Sequence, residues 1–217
     1  MVRVKICGNR TVNDLNVVRG ADAVGFIVAT PESPRNIAVD RAVKLTEEVP
    51  PFVSTVAVTT EPRVKALEKL TRSVKPDYLQ LHSNLSPGRI EEISGCLPDR
   101  TGMIALLSVA SGDNRAIERA EGLAGSPAAA IIMDSEVAGR TGGTGEVHDW
   151  KTSRRVRDFL HPFPVFLAGG LRPENVKRAV REVRPYAIDV ATGVEEGGVK
   201  SAEKVRSLIN EVNSIEA

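Results

Sequence analysis

Two side chains with acid–base chemistry stand where apolar runs of this sequence stop. Cys7 closes the run Val2–Cys7 and is followed by Gly8, while Asp134 follows Ala130-Ile131-Ile132-Met133. A thiol serves as a base once it is a thiolate, and a positioned carboxyl can give or take a proton. Both residues also admit plainer readings. A free cysteine is most often a small buried apolar residue, and an Asp after a strand is commonly a turn or cap residue. For Cys7 the residue types leave the two readings open. For Asp134, a carboxylate ending so apolar a strand tips the balance toward acid–base work.

Glycine clusters form a second set. Gly169-Gly170 precedes Leu171-Arg172-Pro173, and Thr192-Gly193 follows another apolar run. Backbone N–H groups at such strand-to-helix turns can cradle a phosphate. One glycine pair alone marks a tight turn, but two at consecutive strand ends favour phosphate binding through Gly169, Gly170, Thr192 and Gly193. A third cluster, Gly142-Gly143-Thr144-Gly145, adds Gly143 to the substrate-binding candidates. Arg35 follows Ser33-Pro34, where its planar fork could clamp a carboxylate; position alone leaves it an ordinary surface arginine. His82 ends a strand candidate and could reach a ligand, whereas His148 and His161 share no metal-ligand spacing with it.

Those positions make sense together only if particular elements carry them. Strand candidates fall at Val2–Cys7, Ala23–Val28, Val53–Val58, Tyr78–Leu81, Met103–Leu107, Ala128–Met133, Val165–Ala168 and Ala187–Val190. Between them apolar residues recur at helical spacing, as in Val64, Leu67 and Leu70, or Val176, Ala179, Val180 and Val183. Thr11 with Asp14 reads as a capping pair, Pro173 as a first-turn proline and Ser201 as a helix N-cap. The region Gly112–Pro127 is the least regular, since its Ala, Gly and Arg content blurs a fifth helix.

Alternating strands and helices imply parallel pairing with right-handed crossovers. Eight such units predict a single (β/α)8 TIM barrel of the α/β class over residues 1–217. An open doubly wound sheet is disfavoured, because Cys7-Gly8-Asn9-Arg10 stands where a G-x-G-x-x-G turn would be needed. In such a barrel the ends of the strands carry the chemistry. Strand alternation puts Arg3, Lys5 and Cys7 on one face and Val2, Val4 and Ile6 on the other. The aliphatic face should meet the helices, so Cys7 should look into the lumen, where Lys5 could favour its thiolate. Asp189 lies on the last strand, the neighbour of the first on closure, and an inward Lys5–Asp189 ion pair could span that seam.

Composition bounds the rest. The 217 residues carry a formal net charge of +1, with 41% hydrophobic and 26% charged residues. That balance gives no basic surplus for nucleic acid, and no apolar run reaches membrane-spanning length. The start of the chain does not read as a signal peptide, and two distant cysteines suggest neither a disulfide framework nor a zinc site. A cytoplasmic enzyme, monomeric or homodimeric, is the expectation.

The segments Lys5-Ile6-Cys7-Gly8, Gly25-Phe26-Ile27, Ser33-Pro34-Arg35, Leu79-Gln80-Leu81-His82, Gly142-Gly143-Thr144-Gly145, Asp149-Trp150, Leu167-Ala168-Gly169-Gly170-Leu171 and Gly193-Val194-Glu195 occur in this order. Over nearly the whole chain the sequence resembles the phosphoribosylanthranilate isomerase family. The resemblance implies a TIM barrel acting in tryptophan biosynthesis without metal or organic cofactor. It further implies an Amadori rearrangement of N-(5-phosphoribosyl)anthranilate, a phosphorylated aminosugar, to 1-(2-carboxyphenylamino)-1-deoxyribulose 5-phosphate. Cys7 would then be the general base, Asp134 the general acid, Arg35 the partner of the anthranilate carboxylate, and Ser135–Thr141 a loop closing over substrate. Ser83, Ala191, Thr192, His148 and Ser201 depart from the family pattern. They leave two alternatives: a divergent phosphosugar isomerase barrel, or a barrel that binds a phosphorylated ligand without turnover.

Overall fold

The computed structural model describes residues 1–110, 112–137, 140–141 and 149–215, with the side chains of 135–137, 140 and 141 excluded. Its strands are β1 (Arg3–Ile6), β2 (Ala23–Val28), β3 (Ser54–Thr59), β4 (Tyr78–Leu81), β5 (Gly102–Val109), β6 (Ala130–Val137), β7 (Val165–Leu167) and β8 (Ala187–Val190). They pair in parallel with their sequence neighbours, and β8 returns to β1, closing the ring. Helices α1 (Val12–Val17), α2 (Val39–Glu47), α3 (Val64–Val74), α4 (Pro87–Ser94), α5 (Ala116–Ala124), α6 (Trp150–Leu160), α7 (Pro173–Val183) and α8 (Ala202–Asn213) follow the strands in turn. The predicted β/α barrel is therefore the observed architecture.

Period-two alternation decides what fills the two sides of the wall. Val4 and Ile6 of β1 pack outward with the helices in one apolar cluster. Val56, Val58, Ile104, Leu106, Ala130 and Ile132 form a separate cluster inside the barrel, joined by Cys7 and Ala168. The inward course of Cys7 expected from alternation is what the structure has. At the opposite end of the lumen Arg3 stacks over the Tyr186 ring, its guanidinium carbon 4.7 Å from the ring centroid.

The seam also matches expectation. Lys5 pairs with Asp189 in the β1–β8 register, and Lys5 Nζ donates to Asp189 Oδ1 at 2.8 Å. Local signals hold as well. Thr11 and Asp14 cap α1 reciprocally, Pro173 opens α7, and Ser201 caps α8. In the blurred fifth segment, Ala116, Ala120 and Leu123 are buried on one face, which suffices to make α5.

Two boundaries differ from expectation, and both matter to function. Strand β5 runs past Leu107 to Val109, and β6 runs past Met133 to Val137. Inward alternation continues through Ser108 and Asp134, which are register partners, so pairing does not stop where the apolar residues do. The segment Ser135–Thr141 is consequently not a loop throughout. Its first three residues belong to β6, and Arg140–Thr141 runs back antiparallel against Glu136 and Val137. Gly142–Gly145, with the candidate Gly143, and His148 lie outside the described residues.

The lumen packing yields a stability test. Ile132 is fully buried inside the barrel, so Ile132→Ala should cost about 2–5 kcal/mol in denaturant unfolding. A loss under about 1 kcal/mol would mean the lumen repacks freely.

Candidate active site

The C-terminal ends of the strands gather most of the expected residues. Cys7 leaves β1 with its N–H bonded to Val190 O at 2.8 Å and is 5% exposed. The turn behind it is fixed by Asn9, a fully buried side chain whose Nδ2 donates to Ile6 O at 2.8 Å and Gly25 O at 3.2 Å. Gly8 has φ +77°, and a Cβ there would lie 2.5 Å from Arg35 Cδ. The stem of Arg35 thus lies across the glycine that follows the thiol. Gly25 of β2 is equally constrained, since a Cβ would lie 2.8 Å from Cys7 Sγ and 3.1 Å from Lys5 Nζ.

Asp134 sits on β6, across the lumen from Cys7, with β7 and β8 between them along one arc of the ring. It is 6% exposed. His82 Nε2 lies 3.8 Å from Asp134 Oδ2, too far for a hydrogen bond. Burial pushes the His82 pKa below its ordinary value. Its Nδ1, together with Gln80 Oε1, Ser108 Oγ and Asn9 Oδ1, is buried without a hydrogen-bond partner among the described residues. Buried polar atoms of this kind are rare in native proteins, and three of them lie on the strands around Asp134 or just beyond them.

Arg35 is not the free surface residue its sequence position suggested. Its Nε donates to Glu195 Oε1 at 2.8 Å and its Nη2 to Glu195 Oε2 at 2.5 Å, with Thr192 Oγ1 accepting from Nη2 at 3.1 Å. Glu195 also accepts from Lys200 Nζ at 2.8 Å, and Lys200 Nζ reaches Ala191 O at 3.1 Å. One carboxylate therefore holds two cations beside the β8 loop. Arg35 and Lys200, despite burial, keep the Glu195 pKa at about 2.

The sequence reading gave no role to Glu195, Lys200 or Asn9. The signal for the first two was present: Gly197-Gly198 between Glu195-Glu196 and Val199-Lys200 is a hairpin turn, and the hairpin sets Glu195 opposite Lys200. Asn9 carried no such signal, because its role depends on the carbonyl of Gly25, sixteen positions away.

The glycine turns have the shapes that glycine permits. Gly169 and Gly170 have φ of +82° and +64°. Asn175 braces that loop, its Nδ2 donating to Gly170 O and its Oδ1 accepting from Arg172 N, each at 2.9 Å. Gly193 approaches the preceding loop so closely that a Cβ would lie 1.9 Å from Leu171 O. The loops after β7 and β8 are thus packed against each other, next to Thr192 and Arg35.

Electrostatics at the thiol run against the simplest expectation. Burial pushes the Cys7 pKa above its ordinary value; Lys5 and Lys200 pull it down without overcoming that, while Asp189 pushes it further up. Lys5 therefore favours the thiolate, as expected, but does not win alone. Burial also opposes the charge on Lys5, yet Asp189 and Cys7 outweigh it and hold the ammonium above its ordinary pKa. Among the described residues no group of three or more His, Cys, Asp or Glu side chains could hold a metal ion.

The closed β/α barrel thus carries a buried thiol and a buried carboxyl at one rim, beside fixed cations and glycine turns. The chain belongs to the N-(5'-phosphoribosyl)anthranilate (PRA) isomerase family, whose model matches residues 4–211. It is 40% identical over 216 residues to N-(5'-phosphoribosyl)anthranilate isomerase of Methanothrix thermoacetophila, covering 99% of both chains. Among solved structures, phosphoribosyl anthranilate isomerase from Thermotoga maritima superposes with a TM-score of 0.85 at 32% identity, covering 99% of this chain and 100% of that one. The enzyme of that organism is described as dimeric. A phosphoribosyl anthranilate isomerase complexed with reduced 1-(o-carboxyphenylamino)-1-deoxyribulose 5-phosphate superposes with a TM-score of 0.80 at 31% identity, covering 99% and 100% of the two chains.

The Glu195 network makes a prediction with a definite pH sign. A carboxyl whose folded pKa is about 2 against an ordinary 4.5 contributes stability that is complete above 4.5 and is lost as pH falls toward 2. Glu195→Gln should cost about 3 kcal/mol near neutral pH and markedly less near pH ~3, by denaturant unfolding. Equal costs at the two pH values would mean that the charge on Glu195 is not what stabilises the network.

Proposed function

We propose that this chain catalyses the Amadori rearrangement of N-(5-phosphoribosyl)anthranilate, with Asp134 as general acid and Cys7 as general base. It is an isomerase of tryptophan biosynthesis by family. The observation that carries the residue assignment is the pair itself: two buried proton-exchanging groups on opposite walls of one lumen, at the rim where barrel enzymes react.

The steps conserve protons and electrons. Asp134, protonated, donates to the furanose ring oxygen while the C1–O bond breaks, and the amine lone pair forms the C1=N bond. Cys7, as thiolate, removes the proton from C2, and the electron pair moves through C1 onto nitrogen to give an enolamine. Loss of the O2 proton and gain of one at C1 complete the aminoketose; C2 is oxidised as C1 is reduced. Arg35 holds the anthranilate carboxylate through its Nη1 edge, which Glu195 leaves unused. The turns of Gly169-Gly170 and Thr192-Gly193 take the phosphate through backbone N–H groups; Gly143 is kept as a substrate-binding residue on its sequence motif alone. His82, just beyond β4 and 3.8 Å from Asp134, is a substrate contact beside the acid.

Residues 1–217 are read as one catalytic domain working in the cytoplasm, in keeping with two free cysteines, Cys7 and Cys96. Among the described residues no helix is long and apolar enough to cross a membrane. The assembly is read as a monomer or a homodimer, the latter being the form described for the Thermotoga maritima enzyme.

The experiment is turnover of N-(5-phosphoribosyl)anthranilate. Wild type should convert it, while Cys7→Ser and Asp134→Asn should each lose about 100- to 10,000-fold in kcat; absent wild-type turnover would sink the assignment. Arg35→Ala should raise KM with a smaller change in kcat. Because Cys7 must be ionised while Asp134 stays protonated, kcat/KM should pass through a maximum with pH and fall on both sides. A profile that climbs steadily with pH would point to a different acid.

A further inference from the structure

Lys5 is a charged group that the proton transfers above leave without a task. It is 1% exposed, in the middle of a lumen that is otherwise largely aliphatic. Its ion pair with Asp189 explains how the charge is tolerated, but not why it is there. Buried ion pairs are weak sources of stability, and apolar residues of similar volume often serve as well or better. Where the ammonium points is more telling. Lys5 Nζ and Cys7 Sγ converge on the same space above Gly25, 3.1 Å and 2.8 Å from a Cβ placed there. The glycine leaves room for both groups, and Asp189 Oδ1, 2.8 Å from Nζ, fixes the lysine from the other side.

We propose that Lys5 is a positioning residue for the isomerisation, anchored by Asp189 and holding the sulfur of Cys7 as the thiolate that takes the proton. This rests on Cys7 being the base. The two members of the ion pair then have opposite effects on the sulfur: the ammonium stabilises its negative charge, and the carboxylate opposes it. Other charged or titratable groups face the same region. Lys200 approaches from the hairpin, Arg35 from the loop after β2, and His82 and Asp134 from the far wall. Lys200 and Arg35 are both tied to Glu195, whereas Lys5 Nζ shares the space above Gly25 with the sulfur.

The opposition of signs supplies the test. In a Cys96→Ser background, the rate of Cys7 alkylation by iodoacetamide is followed against pH, without substrate. Lys5→Gln should move the midpoint upward, lowering the rate at a fixed pH below it by about tenfold or more. Asp189→Asn should move it downward. A pair that merely closes the seam would destabilise the fold in both variants without shifting the midpoint in opposite directions, and that result would overturn Lys5's hold on the sulfur. Should Lys5→Gln fail to fold with Asp189 left unpaired, the double variant Lys5→Gln, Asp189→Asn leaves no buried charge. Its midpoint should rise, since the ammonium that shares the space above Gly25 with the sulfur is gone; a midpoint that stays put would overturn the proposal. One limb of the kcat/KM profile, measured on the same proteins, should move with the alkylation midpoint. Two limbs that both stay put while the midpoint moves would overturn the base assignment, and with it Lys5's part in the reaction.

Discussion

Closure of the barrel between β1 and β8 is the constraint on which the site depends. The register that sets Lys5 beside Asp189 also carries β1 on to Cys7, whose N–H bonds Val190 O. A one-residue slip of β1 would turn Lys5 and Cys7 toward the helices and Val4 and Ile6 into the lumen. It would also strand Asp189 as an uncompensated charge in a low-dielectric interior, at a cost of several kcal/mol. The ion pair thus makes the wrong register expensive. Gly25 completes the arrangement from β2, because any side chain there would occupy the space that Sγ and Nζ share.

A second constraint operates at the mouth. Glu195 gathers Arg35 and Lys200, and the stem of Arg35 lies over Gly8, directly after the thiol. Fixing a long cationic side chain before a ligand arrives reduces the conformational entropy lost on binding. The bidentate geometry also orients the guanidinium plane, since only one edge of the fork is taken. Thr192 links that cation to the loop whose Gly193 presses against Leu171 O. The carboxylate end and the phosphate end of the proposed substrate would therefore meet a single connected wall.

Much of this was legible in the sequence, for identifiable reasons. Eight apolar runs separated by helical periodicity predict the barrel, and alternation along Val2–Cys7 predicts an inward Cys7 without any structure. The Lys5–Asp189 pair followed from closure topology alone. What was not legible depends on distance in sequence. Arg35 read as a surface residue because its partner Glu195 lies 160 positions away. The ends of β5 and β6 were placed short because apolar content falls at Ser108 and Asp134, although alternation persists and the two pair. These two polar residues interrupt the apolar pattern that marks the strand. For the same reason Ser135–Thr141 read as a loop, when its first part continues β6 and Arg140–Thr141 folds back onto it.

Burying the proposed base in an apolar lumen looks at first like a handicap, since burial raises the Cys7 pKa and reduces the thiolate present before substrate binds. Basicity turns the argument around. A thiolate of higher pKa is the stronger proton acceptor and, stripped of water, has less solvent to shed in the transition state. The cost is a smaller reactive fraction, and the nearby cations set how small it becomes. On the proposed assignment, removing Lys5 would leave less thiolate, and an ammonium without Asp189 would leave a better stabilised and less basic one. The acid–cation–thiol series across the β8–β1 seam is a compromise between those limits. It also accounts for a buried charge pair persisting where a well-packed aliphatic pair would hold the barrel closed equally well.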